Sequence, residues 1–111
     1  MTRPIGREVF QHWGKGPEVF GEAREDVQLE RLTGCWPEFK STDEGVGEHR
    51  NVAEVIVGVW IPQDFKVDPA GGDYFVWERY PDERYYIEGK VGRYITRRGQ
   101  LKACYVPVEA R

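Results

Sequence analysis

The sequence predicts one all-β domain over residues 1–111: a small antiparallel β-barrel or sandwich of about six strands, with a long loop between the second and third strands. The first observation is a series of short runs rich in β-branched and aromatic residues, which favour strands. The second is the number of chain-breaking residues, 13 glycines and 7 prolines among 111 residues, which suits many turns. The third is a hydrophilic stretch over residues 40–51 that is too long for a simple hairpin.

The first third of the chain predicts two strands joined by a loop. Residues 7–13 form a short first strand. The loop over residues 12–23 is interrupted by Gly14, Gly16, Pro17 and Gly21. Residues 27–39 form a long second strand, because the segment over residues 33–37 is unsuited to a helix. One or two helical turns over residues 22–29 are the alternative.

The middle of the chain predicts a central strand and one beside it. Residues 52–61 are apolar on both faces of a strand, so this strand is covered on both sides. It ends at Pro62, which cannot donate a hydrogen bond to a ladder. A turn over residues 69–72 leads to a further strand over residues 73–80.

The last third of the chain predicts a hairpin and a closing strand. Pro81–Asp82 makes a tight connection into a strand over residues 83–88. No strand is assigned to residues 89–100, which glycines interrupt. Residues 101–108 form the last strand, in which Pro107 suggests a sheet edge.

The composition indicates a folded domain without a bulk attraction to polyanions. Aromatic residues make up 14% of the chain, which argues against disorder, and the net charge is −3. That charge predicts neither a general nucleic-acid binder nor a membrane-surface protein. No apolar run approaches the ~20 residues that span a bilayer, and the polar start is unlike a signal peptide. Cys35 and Cys104 are expected to be reduced packing thiols in a protein made in the cytoplasm.

The sequence offers no template for catalysis, so the protein is predicted not to be an enzyme. Ser41 is the only serine, and it lacks the surroundings of a nucleophile elbow. His12 and His49 have no further ligands at metal spacing, and nothing in the sequence brings Cys35 to His49 as a dyad. No metal or other cofactor is expected.

Two segments of opposite charge predict a contact between protein subunits. Residues 90–102 carry five basic side chains and no acidic one, whereas residues 17–30 are acidic with Arg24 as their only base. Such segments suit a head-to-tail contact between identical subunits. The candidate interface residues are Glu18, Glu22, Glu25, Asp26, Lys90, Arg93, Arg97, Arg98 and Lys102.

Other interpretations stay open. The basic segment over residues 90–102, with Tyr94 as a stacking platform, could belong to an OB-like module that binds single-stranded nucleic acid. The same charges could be plain surface decoration. Aromatic residues that alternate along strands usually form a core. A small-molecule-binding regulatory domain is nevertheless a third class, based on Trp60, Tyr74, Phe75, Trp77 and Tyr80.

The loop over residues 40–51 is the candidate functional segment. Gly45 and Gly47 impose no steric restriction on its backbone, so the loop is expected to be mobile. Its length and hydrophilicity fit a gate or an insertion arm as well as a plain exposed loop. The candidate loop residues are Lys40, Ser41, Thr42, Asp43, Glu44, Gly45, Val46, Gly47, Glu48, His49 and Arg50.

From Gly34 onward, several short features follow one another in a defined order. A cysteine and a proline precede a loop that combines Ser, Thr and acidic residues. A β-rich strand ending at a proline comes next, then a spacer with aspartates, a tyrosine pattern that ends in glycine, and a returning last strand. They lie at Cys35, Pro37, residues 41–44, residues 55–62, residues 65–73, residues 85–89 and residues 99–108. This order resembles the head-to-tail stopper (head-closure) proteins of long-tailed double-stranded DNA bacteriophages.

The resemblance implies a structural virion protein, a β-barrel that forms a ring in the phage neck. Such a ring joins the DNA-filled capsid to the tail and closes the channel to retain packaged DNA. The implied partners are further copies of the chain, a portal-associated adaptor protein above, tail terminator or other tail proteins below, and double-stranded DNA in the channel, with no membrane. The loop over residues 40–51 would face the channel. The protein would be made in the host bacterial cytoplasm and located in the virion neck.

A deletion within the loop tests its assignment to the channel. Removing residues 42–48 is expected to leave ring formation intact but to give particles that lose DNA, because acidic loops in a channel repel phosphate. DNA retention in purified particles of the deletion strain is the measurement. Full retention would show that the loop is not a gate.

Overall fold

The computed structural model describes residues 5–16, 25–40, 56–68 and 71–110, and these form a barrel of antiparallel strands. The described part contains seven strands and no helix. The strands are β1 Glu8–Lys15, β2 Asp26–Phe39, β3 Ile56–Ile61, β4 Tyr74–Trp77, β5 Tyr80–Ile87, β6 Gly92–Ile95 and β7 Leu101–Ala110.

Six of the strands close into a barrel in the order β1-β2-β3-β7-β5-β4, and β4 pairs back with β1. The extra strand, β6, pairs with β7. All of the described pairings are antiparallel. The prediction of a small antiparallel all-β barrel is therefore confirmed. Closure pairs each barrel strand on both sides, which removes the open sheet edges that invite aggregation.

Strand direction defines two ends of the barrel. At one end β2 finishes at Phe39 and β1, β3 and β5 begin, and we call this the Phe39 end. At the other, β2 begins at Asp26 beside Lys15, and we call this the Asp26 end. Residues 40–55 connect β2 to β3 at the Phe39 end, where the long loop was predicted. Residues 41–55 lie outside the described part, so the structure leaves the assignment of the candidate loop residues as a prediction.

The barrel interior is filled by its own side chains, as expected for so few strands. The ring of Phe10 stacks on Trp77 at a centroid distance of 5.6 Å and meets Phe75 edge-on at 6.1 Å. Fully buried side chains from the other strands and connections complete the core: Leu32, Cys35, Val59, Ile61, Phe65, Tyr85, Cys104 and Val106. Phe75 and Trp77, on which the small-molecule hypothesis depended, are thus core residues.

The turn between β4 and β5 lies earlier in the chain than predicted. Residues Glu78–Arg79 form it, and β5 already begins at Tyr80. The prediction of a turn at Pro81–Asp82 is therefore wrong. Distant contacts explain the shift, because Arg79 forms an ion pair with Glu8 of β1 and Glu78 accepts hydrogen bonds from Arg31 of β2.

Two further predictions fail around β7. Residues 92–95 form a strand despite Gly92, because β7 supplies its ladder partners.

Pro107 does not mark an edge, since β7 pairs with β3 on one side and with β6 and then β5 on the other. The Pro107 carbonyl accepts a hydrogen bond from the Glu88 N–H at 3.0 Å. The nitrogen of a strand residue faces the same side as its carbonyl, so the missing N–H faces the β5–β6 connection and breaks no pairing with β3.

Gly58 allows an aromatic ring to lie flat on the outside of β3. A Cβ atom at this position would collide with the ring of Tyr105, which covers the glycine. The Trp60 ring lies between Tyr105 and Tyr94 of β6, at centroid distances of 4.8 and 5.1 Å. These three rings form an outer aromatic cluster that holds β6 against the barrel.

Two buried tyrosines provide a matched pair of stability tests. The Tyr85 hydroxyl is buried with no hydrogen-bond partner in the described part, and burial raises its pKa to about 12. Tyr85→Phe removes this unsatisfied group, so the free energy of unfolding should stay the same or increase. Tyr74→Phe removes a hydrogen bond to Asp26 of 3.1 Å and should lower it by about 1 kcal/mol. Chemical denaturation measures both, and a larger loss for Tyr85→Phe would contradict the assignment.

Candidate functional site

The buried histidine of the barrel has a structural role. His12 Nε2 lies 2.7 Å from Asp73 Oδ2, and both side chains are almost fully buried. The same carboxylate oxygen accepts the backbone N–H of Asp68 at 3.0 Å. The His12 ring contacts the Phe65 ring at a centroid distance of 4.7 Å. The pair therefore ties β1 to the segment that leads into β4.

The two thiols of the described part lie in the barrel core. Cys35 and Cys104 are free and buried, as predicted. Burial raises the pKa of Cys35 to about 12 and also raises that of Cys104, so both thiols are protonated at neutral pH and are weak nucleophiles. His49, the other member of the hypothetical dyad, lies outside the described residues. Residues 5–16, 25–40, 56–68 and 71–110 contain no group of three or more potential metal ligands.

On the acidic side of the predicted interface, Asp26 belongs to a network within its own chain. Its carboxylate accepts hydrogen bonds from Lys15 Nζ at 2.7 Å and from the Tyr74 hydroxyl at 3.1 Å, and it lies 3.7 Å from Arg84. The Lys15 hydrogen bond is the largest cause of the lowered pKa of Asp26. Glu25 beside it is exposed. The predicted acidic residues outside the described part are Glu18 and Glu22.

On the basic side, Arg93 is also engaged within the chain. Its guanidinium donates to Asp64 at 3.0 Å, which lowers the pKa of that carboxyl, and to the Phe65 carbonyl at 2.7 Å. Arg93 thus fastens β6 to the connection between β3 and β4, which reduces its capacity to bind a phosphate. The other predicted basic residues are exposed and form no ion pair with a described carboxylate: Lys90, Arg97, Arg98 and Lys102.

A tight turn presents two of these basic residues at the tip of the β6–β7 hairpin. The Thr96 N–H donates to the Gln100 carbonyl at 2.8 Å, and the Gly99 N–H donates to the Thr96 carbonyl at 2.9 Å. Gly99 has a φ of 79°, as the bulge position of a three-residue hairpin loop requires. Tyr94 and Ile95, which lead into the turn, are 50% and 65% exposed. We call residues 94–98 the arginine tip.

Strand direction places the arginine tip at the Asp26 end of the barrel. β6 is antiparallel to β7, and β7 is antiparallel to both β3 and β5. β6 therefore runs towards the Asp26 end, as β3 and β5 do. Glu25 and Asp26 lie at this same end. The described part of the acidic segment, Glu25 and Asp26, thus lies at the same end as the arginine tip, and the contact between the two charged segments stays a prediction.

The Phe39 end carries a cleft with an aromatic lining. Two adjoining cavities of about 460 and 360 Å³ share Glu8, Trp36 and Arg79 as lining residues. The described part has nine exposed large apolar side chains, and four of them line this cleft: Ile5, Trp36, Phe39 and Tyr80. We call it the Phe39-end cleft. Its apolar surface is exposed, which is the usual mark of a binding surface.

An ion pair between an exposed arginine and a buried carboxylate forms the polar part of the Phe39-end cleft. Arg79 Nε and Nη2 each donate to one carboxylate oxygen of Glu8 at 2.6 Å, and Trp77 Nε1 donates to the same carboxylate at 2.7 Å. The Arg79 hydrogen bonds are the largest cause of the lowered pKa of Glu8. The carboxylate is buried while half of the arginine side chain stays exposed. The pair therefore fixes the wall of the cleft without leaving a net charge on it.

The cleft could not be recognised from the sequence. Glu8 and Arg79 are 71 positions apart, and neither residue lies in a motif. The one local signal is the alternation along the end of β2, where Cys35 and Pro37 are buried and Trp36 is exposed. A tryptophan that faces away from the core in this way indicates a contact surface.

Comparison with known proteins gives no further guide. No protein-family model, no curated protein and no solved structure matches this chain. Among the described residues, no helix is long and apolar enough to cross a membrane. The geometry of the barrel and the order of features along the sequence therefore carry the functional argument.

The Glu8 ion pair predicts an acid-sensitive contribution to stability. Its pKa is lowered in the folded chain, so the unfolded chain binds the proton more readily. The contribution is present above the unfolded pKa and is lost as the pH falls through the folded pKa. Glu8→Gln should therefore flatten the dependence of the free energy of unfolding on pH below about pH 5.

The matched control is Glu25→Gln, which removes an exposed carboxyl and is expected to give the wild-type pH curve. Urea titrations at a series of pH values between neutral and acidic measure the effect. An unchanged slope in Glu8→Gln would mean that the ion pair does not persist in solution.

Proposed function

We propose that this protein is a ring-forming structural subunit of a bacteriophage neck, a head-to-tail connector that helps to retain packaged DNA. The observation that carries the proposal is that β2 ends and β3 begins at the Phe39 end, with residues 40–55 between them. The motif residues Cys35 and Pro37 are buried there at the end of β2, and residues 40–55 then lead to the buried strand β3. This arrangement is the one expected if the order of features reflects membership of the stopper family.

The closed barrel supports a mechanical role. A ring subunit must keep its shape under pressure from the packaged DNA. The six strands of the closed barrel are each paired on both sides, which resists unfolding and unwanted pairing and leaves an open edge on the extra strand β6. The described core is filled by apolar and aromatic side chains, and the described thiols and His12 are buried or paired. The described features thus fit assembly better than catalysis.

The distribution of exposed apolar side chains supports self-association. A monomer rarely exposes several large apolar groups together unless they meet a partner. Here one group lines the Phe39-end cleft and another, Tyr94 and Ile95, forms the arginine tip at the other end. Two separate surfaces are the minimum that a cyclic ring of identical subunits needs, because each subunit contacts two neighbours.

The partners follow from the place in the neck. The ring would contact a portal-associated adaptor above and tail proteins below, with double-stranded DNA in its channel. The net charge of −3 suits a channel component, since tight binding to DNA would hinder ejection. The channel-facing role of residues 40–51 is part of this proposal and derives from the sequence.

The second candidate is a single-stranded nucleic-acid binder that uses the basic segment over residues 90–102. The exposed ring of Tyr94 beside Arg97 and Arg98 favours it, because stacking and phosphate contacts are the usual basis of such binding. The ion pair of Arg93 with Asp64 counts against it.

Purified virions decide between the two. Mass spectrometry of particles from the phage that encodes this chain is expected to detect the chain in several copies per particle. Electron cryomicroscopy is expected to show a ring of it between portal and tail. Absence of the chain from particles would overturn the connector proposal. Salt-dependent binding of the isolated protein to oligonucleotides would then favour the second candidate.

A further inference from the structure

We propose that the arginine tip of one copy docks into the Phe39-end cleft of the next copy, and that this contact builds the ring. The inference rests on the proposed function, which requires identical subunits to associate. It commits to a second copy of the chain as the occupant of the cleft. The sequence assigned Arg97 and Arg98 to a contact between subunits but paired them with the acidic segment over residues 17–30, whereas the Phe39-end cleft was not foreseen.

The positions of the two surfaces suit a head-to-tail contact. The tip is at the Asp26 end, because β6 and β7 meet there, and the cleft is at the Phe39 end, where β2 finishes and β5 begins. A contact between opposite ends of identical chains is heterologous: each copy offers its tip to one neighbour and its cleft to the other. Such contacts generate rings when the rotation between copies closes.

The arginine tip has the form of a preorganised ligand. Its turn is held by the hydrogen bonds between Thr96 and Gln100 and by the left-handed Gly99. The Tyr94 ring is braced by Trp60 of β3 at 5.1 Å, while half of its surface stays open. Little conformational entropy is lost when such a rigid element binds, so more of the contact energy contributes to affinity.

The Phe39-end cleft has the size and the lining that this ligand needs. The depression between Trp36, Phe39 and Tyr80 is open to solvent and has a volume of about 360 Å³. Exposed aromatic walls are typical of interface hot spots. Ile95, the most exposed large apolar residue of the described part, is the natural group to be covered there.

Charge agrees with one orientation of the tip in the cleft. Arg97 and Arg98 form no described ion pair, and the exposed or half-exposed acidic residues that flank the cleft in the chain are Glu38, Asp82 and Glu83. Arg79 on the cleft wall is neutralised by Glu8. Arg7 lines the opposite side, near Ile5. The arginines of the tip are therefore expected on the Tyr80 side of the cleft, where β5 continues from Tyr80 to Asp82.

Cysteine cross-linking between two singly substituted proteins tests the contact directly. The full-length variants Ile95→Cys and Tyr80→Cys are purified separately, one with a cleavable tag, then mixed and oxidised gently. The natural Cys35 and Cys104 are buried and stay out of the reaction. The mixed disulfide dimer is expected to form at least about tenfold faster than the dimer of either variant alone, because binding raises the local concentration of the two thiols.

The matched control is Leu29→Cys, which places a thiol at another exposed apolar position, outside both surfaces. Its cross-linking with Ile95→Cys should be slow and insensitive to salt. Adding Arg97→Glu and Arg98→Glu to the Ile95→Cys protein should slow the reaction with Tyr80→Cys, and high salt should weaken it in the same direction.

Two results would overturn the proposal. One is a reaction of Ile95→Cys with Tyr80→Cys no faster than with Leu29→Cys. The other is preferential dimers of Ile95→Cys with itself, which would indicate a two-fold symmetric contact instead. Failure here is distinct from failure of the connector proposal. If virions contain a ring of this chain but the cross-link does not form, only the proposed contact is wrong. If the cross-link forms but virions lack the chain, only the phage role is wrong.

Discussion

The structure depends on β7, the strand through which the barrel closes. β7 pairs with β3 over residues 104–107 and with β5 over residues 108–110, so it joins the two halves of the sheet. Because successive strand residues face opposite sides, closure buries Cys104 and Val106 and leaves Tyr105 outside, on the glycine of β3. The same strand carries β6, so the arginine tip exists as an extension of the closing strand.

Polar side chains then lock the two ends of the closed barrel. At the Phe39 end the carboxylate of Glu8 accepts three hydrogen bonds from Arg79 and Trp77. At the Asp26 end Asp26 accepts hydrogen bonds from Lys15 and Tyr74. These groups are partners within one chain, so their charges are not available to other molecules. The charged residues counted along the sequence are therefore not all available for contacts with other molecules.

The strand pattern was the predictable part of the fold. The buried β3 follows from its run of apolar and β-branched residues, and the long β2 was expected because residues 33–37 are unsuited to a helix. The turn at Glu78–Arg79 and the strand β6 were not expected. Both depend on partners far away in the sequence, namely Glu8 and β7, and local propensity carries no information about such partners.

The candidate surfaces also include features that the sequence predicted and features that it did not. Exposure of Arg97 and Arg98 could be expected from the polar segment around Gly99 that holds them, but the internal ion pair of Arg93 could not. The Phe39-end cleft was wholly unexpected, because its lining comes from β1, β2, β4 and the start of β5. The gate assigned to residues 40–51 stays a prediction.

The sequence by itself determined that the chain forms short strands around an aromatic core, that its two thiols are packing residues, and that a long hydrophilic connection separates β2 from β3. These properties depend on side-chain pattern and on neighbours along the chain. Only the tertiary structure decided which charges are neutralised internally, which aromatic rings remain exposed, and at which end of the barrel each surface lies. Those properties depend on the direction and register of paired strands, and barrel closure sets both through contacts between residues that are distant in the sequence.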